Sequence, residues 1–141
     1  MNEIVSDKSW ELLEKCPIQT EYDIVKARQI VRQFAKDDGM GIVDQTRITT
    51  AVSELFRNMF MYAGGGEVLM EKGIIDEKQA LIITCIDHGP GIESIDLVMT
   101  DGYTSGGGMG YGLPGAKRLV DRFEIFSEVK VGTTIRVMKW K

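Results

Sequence analysis

Apolar residues recur at helical spacing twice in the first half of this chain, and later they cluster as they do in strands. From Thr20 onward Ile24, Ala27, Ile30, Val31 and Phe34 share one helix face. Thr20 and Asp23 make a capping-box start, and Gly39 stops the pattern. A second helix is predicted through DQTRITTAVSELFRNMFMYA, with Asp44 as its cap. Ile48, Ala51, Val52, Leu55, Phe56 and Met59 form its buried stripe, and the glycines at 64–66 end it. Two β-rich runs then flank Asp76, Glu77 and Lys78, which predicts a hairpin. Residues 92–99 suit a short helix and residues 113–122 have helical periodicity. Residues 123–129 and 133–140 read as strands joined by Lys130, Val131 and Gly132. The segment WELLEKCPIQT, ambiguous by itself, suits a strand that keeps Pro17 near a sheet edge. Helices first and consecutive strands afterwards suggest an α+β fold with helices on one sheet face, not a series of βαβ units.

A length of 141 residues suits one domain spanning 1–141, large enough to bury a core without metals or disulfides. With 43% hydrophobic and 27% charged residues the chain is expected to fold rather than stay disordered. The net charge of −4, with Lys and Arg scattered, argues against nucleic acid or an anionic membrane as a partner. The longest apolar run, residues 80–86, is too short to cross a bilayer, and the first ten residues lack the pattern of a secretion signal. A cytoplasmic protein is expected. Cys16 and Cys85 have no metal-ligand spacing, and Cys85 reads as a small core residue on a strand.

Candidate chemistry begins at residues 106–117, GGGMGYGLPGAK, with six glycines in twelve positions. Bare N–H groups leading into a helix suit phosphate. GYGLPG at 110–115 fits G-x-G-x-x-G, but a dinucleotide turn needs a strand immediately before it, and DGYTSGGGM is not one. A Walker A loop also fails, because Ala116 separates Gly115 from Lys117 and no hydroxyl follows the lysine. Upstream, Glu54, Asn58 and Tyr62 are spaced i, i+4, i+8 and share a face of the second helix. A half-buried Asn there needs a partner, and a hard cation accepts an amide oxygen while keeping water and phosphate in the rest of its sphere. Glu54, one turn back, is placed to act as a base, although a solvated polar stripe would look the same. ALIITCID ends in Asp87 and turns into HGPGI, an acceptor at a strand end beside Gly89 and Gly91. GTTIRVMKW opens the last strand with two hydroxyls.

Four segments in order, ELFRNMFMYA (54–63), DHGPGI (87–92), GGGMGYGL (106–113) and GTT (132–134), resemble the N, G1 and G2 boxes and terminal G-T of the GHKL ATPase/kinase superfamily. Within it the chain is most similar to the small anti-sigma-factor serine/threonine kinases, in particular the RsbT-type switch kinases of stress-signalling stressosomes. The resemblance implies a Bergerat-type α/β sandwich, a mixed sheet with helices on one face, that binds ATP and Mg²⁺. By the same resemblance Glu54 is the general base and Asn58 the Mg²⁺ ligand. Asp87 accepts the adenine amino group, Gly89 and Gly91 let the base approach, and Thr133 supports it. Gly106, Gly107, Gly108, Met109, Gly110, Tyr111, Gly112 and Leu113 form a lid over the phosphates, with Arg57, Tyr62 and Ile92 completing the ATP site. The implied activity is phosphorylation of a STAS-domain antagonist protein. Partners would include a stressosome-type scaffold and a PP2C-type phosphatase, the latter activated by direct binding; a regulatory docking module with little turnover is the alternative. No Lys or Arg lies between Asp101 and Ala116, so the lid brings no cation to the terminal phosphate.

Overall fold

The computed structural model describes residues 9–100 and 112–141. Within them the chain runs β1 (Glu11–Ile18), α1 (Glu21–Asp37), α2 (Ile42–Ala63), β2 (Gly66–Ile75), β3 (Lys78–Asp87), α3 (Ile95–Val98), α4 (Leu113–Arg118), β4 (Arg122–Glu128) and β5 (Gly132–Trp140). The strands form one sheet in the order β1-β2-β3-β5-β4, so β1, with Pro17, is an edge. Every pairing is antiparallel, where a mixed sheet was implied. The reason lies in the return path. The chain leaves β3 at Asp87 and comes back to the opposite end before β4 begins, since Arg122 sits beside Met138 and Ala80 beside Trp140. β4 therefore runs in the direction of β3, but β5 lies between them.

Local chemistry sets the helix ends. Thr20 Oγ1 accepts from the Asp23 N–H at 3.1 Å, and the Asp23 carboxylate accepts from the Thr20 N–H at 3.1 Å, closing the predicted capping box. The cap of α2 is a correction. Gly41, not Asp44, occupies it, and no side chain caps the helix. Asp44 lies in the first turn and pairs instead with buried Lys139 at 3.4 Å. The last helix is also shorter than its periodicity predicted. The Asp121 carboxylate accepts from Lys139 Nζ and from the Trp140 N–H, both at 2.8 Å, and residues 119–121 form the turn that leads into β4. The β2–β3 hairpin turns on Asp76 and Glu77, both at positive φ (51° and 67°), as a two-residue I′ loop requires.

The predicted stripe of α2 is fully buried, and with Val31 and Ala35 of α1 it covers Val68, Met70, Leu81, Ile83, Cys85, Ile135 and Val137 of the sheet. The other sheet face carries a smaller cluster, Ile75, Ala80, Ile82 and Met138, with Trp10 and Trp140 packed on it. Arg136 and Glu71 are buried on that face. The Arg136 guanidinium donates to Thr84 Oγ1 at 2.9 Å and sits over the Trp10 ring. No helix of the described residues is long and apolar enough to cross a membrane.

Burial pushes the Glu71 carboxyl above its ordinary value, and the Arg136 charge offsets part of that rise. A carboxyl raised on folding contributes fully below its unfolded pKa of about 4.3 and loses that contribution as pH rises through the folded value. The stability of the wild type relative to Glu71→Gln, read from urea midpoints, is expected to fall as pH is raised from about 4 to 8. A difference independent of pH would contradict it.

Candidate nucleotide-binding site

A cavity of about 110 Å³ opens between α2 and the ends of β3 and β5. Its α2 wall is Leu55, Asn58, Met59, Tyr62 and Ala63, its sheet wall Cys85, Asp87, Thr133 and Ile135, and Pro90, Gly91, Ile92 and Leu113 complete it. α2 serves both core and cavity because its faces differ. Leu55 and Met59 are buried, whereas Asn58 and Tyr62 lie on the half-buried edge of the stripe. Burial pushes the Cys85 thiol far up, so this wall presents an inert thiol rather than a thiolate.

Asp87 fixes the sheet end of the cavity. Its Oδ1 accepts from the Gly89 N–H at 3.0 Å and from the Thr133 N–H at 3.1 Å. Oδ2 accepts no hydrogen bond from the described residues. It therefore remains an acceptor at the cavity wall, the arrangement a ligand amino group would need. Gly89 and Gly91 have a further reason for lacking side chains. A Cβ on Gly89 would lie 2.5 Å from the Ala63 Cβ, and one on Gly91, at φ 78°, would strike the Glu128 carbonyl. Close packing of the loop onto α2 and the β4–β5 turn thus already demands both glycines.

Sequence reasoning missed Ser127. Its hydroxyl accepts from the Ile92 N–H at 2.7 Å and sits 2.7 Å from Thr133 Oγ1 and 3.2 Å from the Gly132 carbonyl. It ties the loop after β3 to the start of β5. The only sequence signal was its register opposite Thr133, which requires the strand pairing to be known.

Glu54 and Arg57 lie outside the cavity wall. Glu54 Oε1 pairs with Arg57 Nη1 at 3.0 Å, both side chains being about half exposed. Its Oε2 lies against Gly112, where a Cβ would stand 2.6 Å away. Gly112, at φ 68°, leads directly into α4, whose first residue, Leu113, is buried in the cavity wall. Glu54 thus lies at the cavity mouth beside the residue that ends the glycine segment. Gly106, Gly107, Gly108, Met109, Gly110 and Tyr111 lie outside the described residues. His88 is exposed.

An α+β fold that sets a cavity between a polar-edged helix and a strand-end aspartate is the arrangement expected of an ATPase-like class, and the comparisons agree. Residues 43–141 match the family described as histidine kinase-, DNA gyrase B- and HSP90-like ATPase. The chain is 51% identical over 123 residues to the serine/threonine-protein kinase RsbT of Bacillus subtilis (strain 168), covering 87% of this chain and 92% of that protein. It is 28% identical over 120 residues to the anti-sigma F factor of Anoxybacillus flavithermus (strain DSM 21510 / WK1), covering 80% and 81%. Among solved structures it resembles the RsbU and RsbW domains of a Mycobacterium tuberculosis protein, with a TM-score of 0.60, 18% identity, and coverage of 90% of this chain and 32% of that one. That last likeness concerns the fold. The chain belongs to this ATPase family and, within it, to the RsbT-type serine/threonine protein kinases.

Replacing Ser127 by Ala removes the acceptor of the Ile92 N–H. Unfolding free energy is expected to drop by about 1–2 kcal/mol and nucleotide affinity to fall with it, measured by urea denaturation and calorimetric titration. Unchanged affinity would show that Ser127 does not shape the cavity.

Proposed function

We propose that this kinase transfers the terminal phosphoryl group of ATP to a serine or threonine hydroxyl of a STAS-domain antagonist protein, with Glu54 as general base. The observation that carries the reading is the placement of Glu54 against Gly112 at the mouth of a cavity whose walls hold Asn58 and Asp87. In the reaction, Glu54 takes the acceptor hydroxyl proton as that oxygen attacks the γ-phosphorus. The bond to the β–γ bridging oxygen breaks, and ADP leaves with the electron pair.

The residues at the cavity suit the two ligands. Asp87 Oδ2 and Thr133 would receive the adenine edge, with Tyr62 and Ile92 against the base. Gly112 and Leu113 would lie beside the phosphates. A single neutral amide, Asn58, suits Mg²⁺ arriving on those phosphates, since that ion keeps most of its coordination for water and phosphate. When bound, the ion neutralises phosphate charge. Neither Lys nor Arg lines the described cavity, and Arg57 is engaged with Glu54.

A second output is favoured by the absence of Lys and Arg between Asp101 and Ala116. Lacking that cation, turnover would be slow, and the protein would also act by docking, exchanging between a stressosome-type scaffold and a PP2C-type phosphatase that it activates. The cytoplasm is the compartment this requires.

Glu54→Gln is expected to lower the rate of phosphoserine or phosphothreonine formation on a STAS acceptor at least 100-fold while ATP affinity stays within about threefold. Asp87→Asn is expected to weaken ATP binding about tenfold or more in calorimetric titration, since it turns an acceptor toward a donor. Full transfer activity in Glu54→Gln would remove the base assignment. Activation of the phosphatase surviving in Glu54→Gln would support the docking output, and its loss in step with transfer would refute it.

A further inference from the structure

Asp87, Thr133 and Ser127 stand side by side on β3, β5 and β4, one row across the sheet at the end of the nucleotide cavity. Among the described residues the cavity wall takes in Asp87 and Thr133 but not Ser127, which lies behind Thr133. We propose that Ser127 sets the base selectivity of this cavity, a role that rests on the nucleotide-binding reading above. By taking the Thr133 hydroxyl proton it leaves two acceptors facing the ligand, and so favours a purine with an amino group at C6 over one with an oxo group there. Ser127 is a positioning residue in this scheme, acting only through Thr133.

A hydroxyl has one proton and two lone pairs. Around Ser127 Oγ stand the Ile92 N–H at 2.7 Å, the Gly132 carbonyl at 3.2 Å and Thr133 Oγ1 at 2.7 Å. The N–H can only donate and the carbonyl can only accept, so they occupy one lone pair and the proton of Ser127. One lone pair is left, and Thr133 donates to it. The reverse direction would turn the Ser127 proton to Thr133, forfeit the bond to the Gly132 carbonyl and leave a Ser127 lone pair unused in a half-buried place. The direction that makes three bonds is therefore preferred over the one that makes two.

With its proton turned away, Thr133 Oγ1 keeps its lone pairs for a ligand. Asp87 does the same, since Oδ1 accepts from the Gly89 and Thr133 N–H groups and Oδ2 accepts from none of the described residues. Tight packing keeps the two acceptors together. Gly132, at φ 145°, has no room for a Cβ, which would strike the Asp87 carbonyl. An exocyclic amino group carries two protons and can serve both acceptors. A carbonyl oxygen in its place would meet lone pairs from two sides and no donor, which is selection by exclusion. Without the Ser127 hydroxyl, the Thr133 proton would be free to rotate toward that carbonyl.

ATP and ITP differ at C6 and in the proton on N1 but share ribose, phosphates and metal, so those contacts cancel in the ratio of their affinities. Calorimetric titration of the full chain with Mg·ATP and Mg·ITP is expected to show wild type preferring ATP about a hundredfold, and S127A narrowing that preference about tenfold. S127T, which keeps the hydroxyl, is expected to hold the preference within about threefold of wild type. T133V, which removes an acceptor, is expected to narrow it as well, and adding S127A to T133V is expected to change the ratio less than about twofold. A cavity merely loosened by S127A would lower both affinities together and leave the ratio unchanged, which would overturn the proposal. So would a wider preference in T133V, or a full effect of S127A in that background. Wild type that binds neither nucleotide would overturn the nucleotide reading and this role with it, whereas binding of both at one ratio in every variant would sink the role of Ser127 alone.

Discussion

The structure depends on how the exit of β3 is tied to the entry of β5. β3 is the middle strand, and Ala80 to Cys85 are all buried, so it has no solvent face on which a register error could be absorbed. At its end Asp87 lies opposite Thr133, and the aspartate carboxylate also accepts the Thr133 N–H. One side chain therefore ends the strand, sets the turn through Gly89 and fixes where β5 begins. The same oxygen pair leaves Oδ2 for a ligand. The binding role proposed for Asp87 is compatible with its structural one because a carboxylate has two oxygens and the fold uses one.

α2 is the second element with a divided role. Its apolar stripe is packed against the sheet, while the edge of the stripe supplies Asn58 and Tyr62 to the cavity and Glu54 to its mouth. Phe56 and Leu55 anchor the helix with almost no exposure. A helix held by burial on that scale, with truncation of such an aromatic costing about 3–5 kcal/mol, keeps its polar edge in place without needing the polar groups to stabilise it.

Much of this was legible locally. The periodicity of α1 and α2, the capping box at Thr20 and the strand ending in Asp87 are short-range patterns, and each stands where the sequence put it. The gathering of Asn58 and Asp87 around one cavity followed from the order of motifs rather than from spacing. What escaped was long-range. The antiparallel sense of β3 and β5 depends on a return path of more than forty residues, and Ser127 matters only because its strand lies beside Thr133. Asp44 was misread because a first-turn aspartate resembles a cap until Lys139, nearly a hundred residues away, is known to be its partner.

Charge explains why a site so well formed need not be fast. The described cavity wall offers one carboxylate and no cation to a nucleotide that brings several negative charges. Backbone N–H groups and a phosphate-borne metal can hold such a ligand, but they do not match a positioned guanidinium in stabilising a transferring phosphoryl group. The nearby Glu54–Arg57 pair is about half exposed, and pairs so placed contribute under about 1 kcal/mol. It therefore does not lock either side chain. On the proposed function, an acceptor protein that brings its hydroxyl to Glu54 would redirect both at small cost.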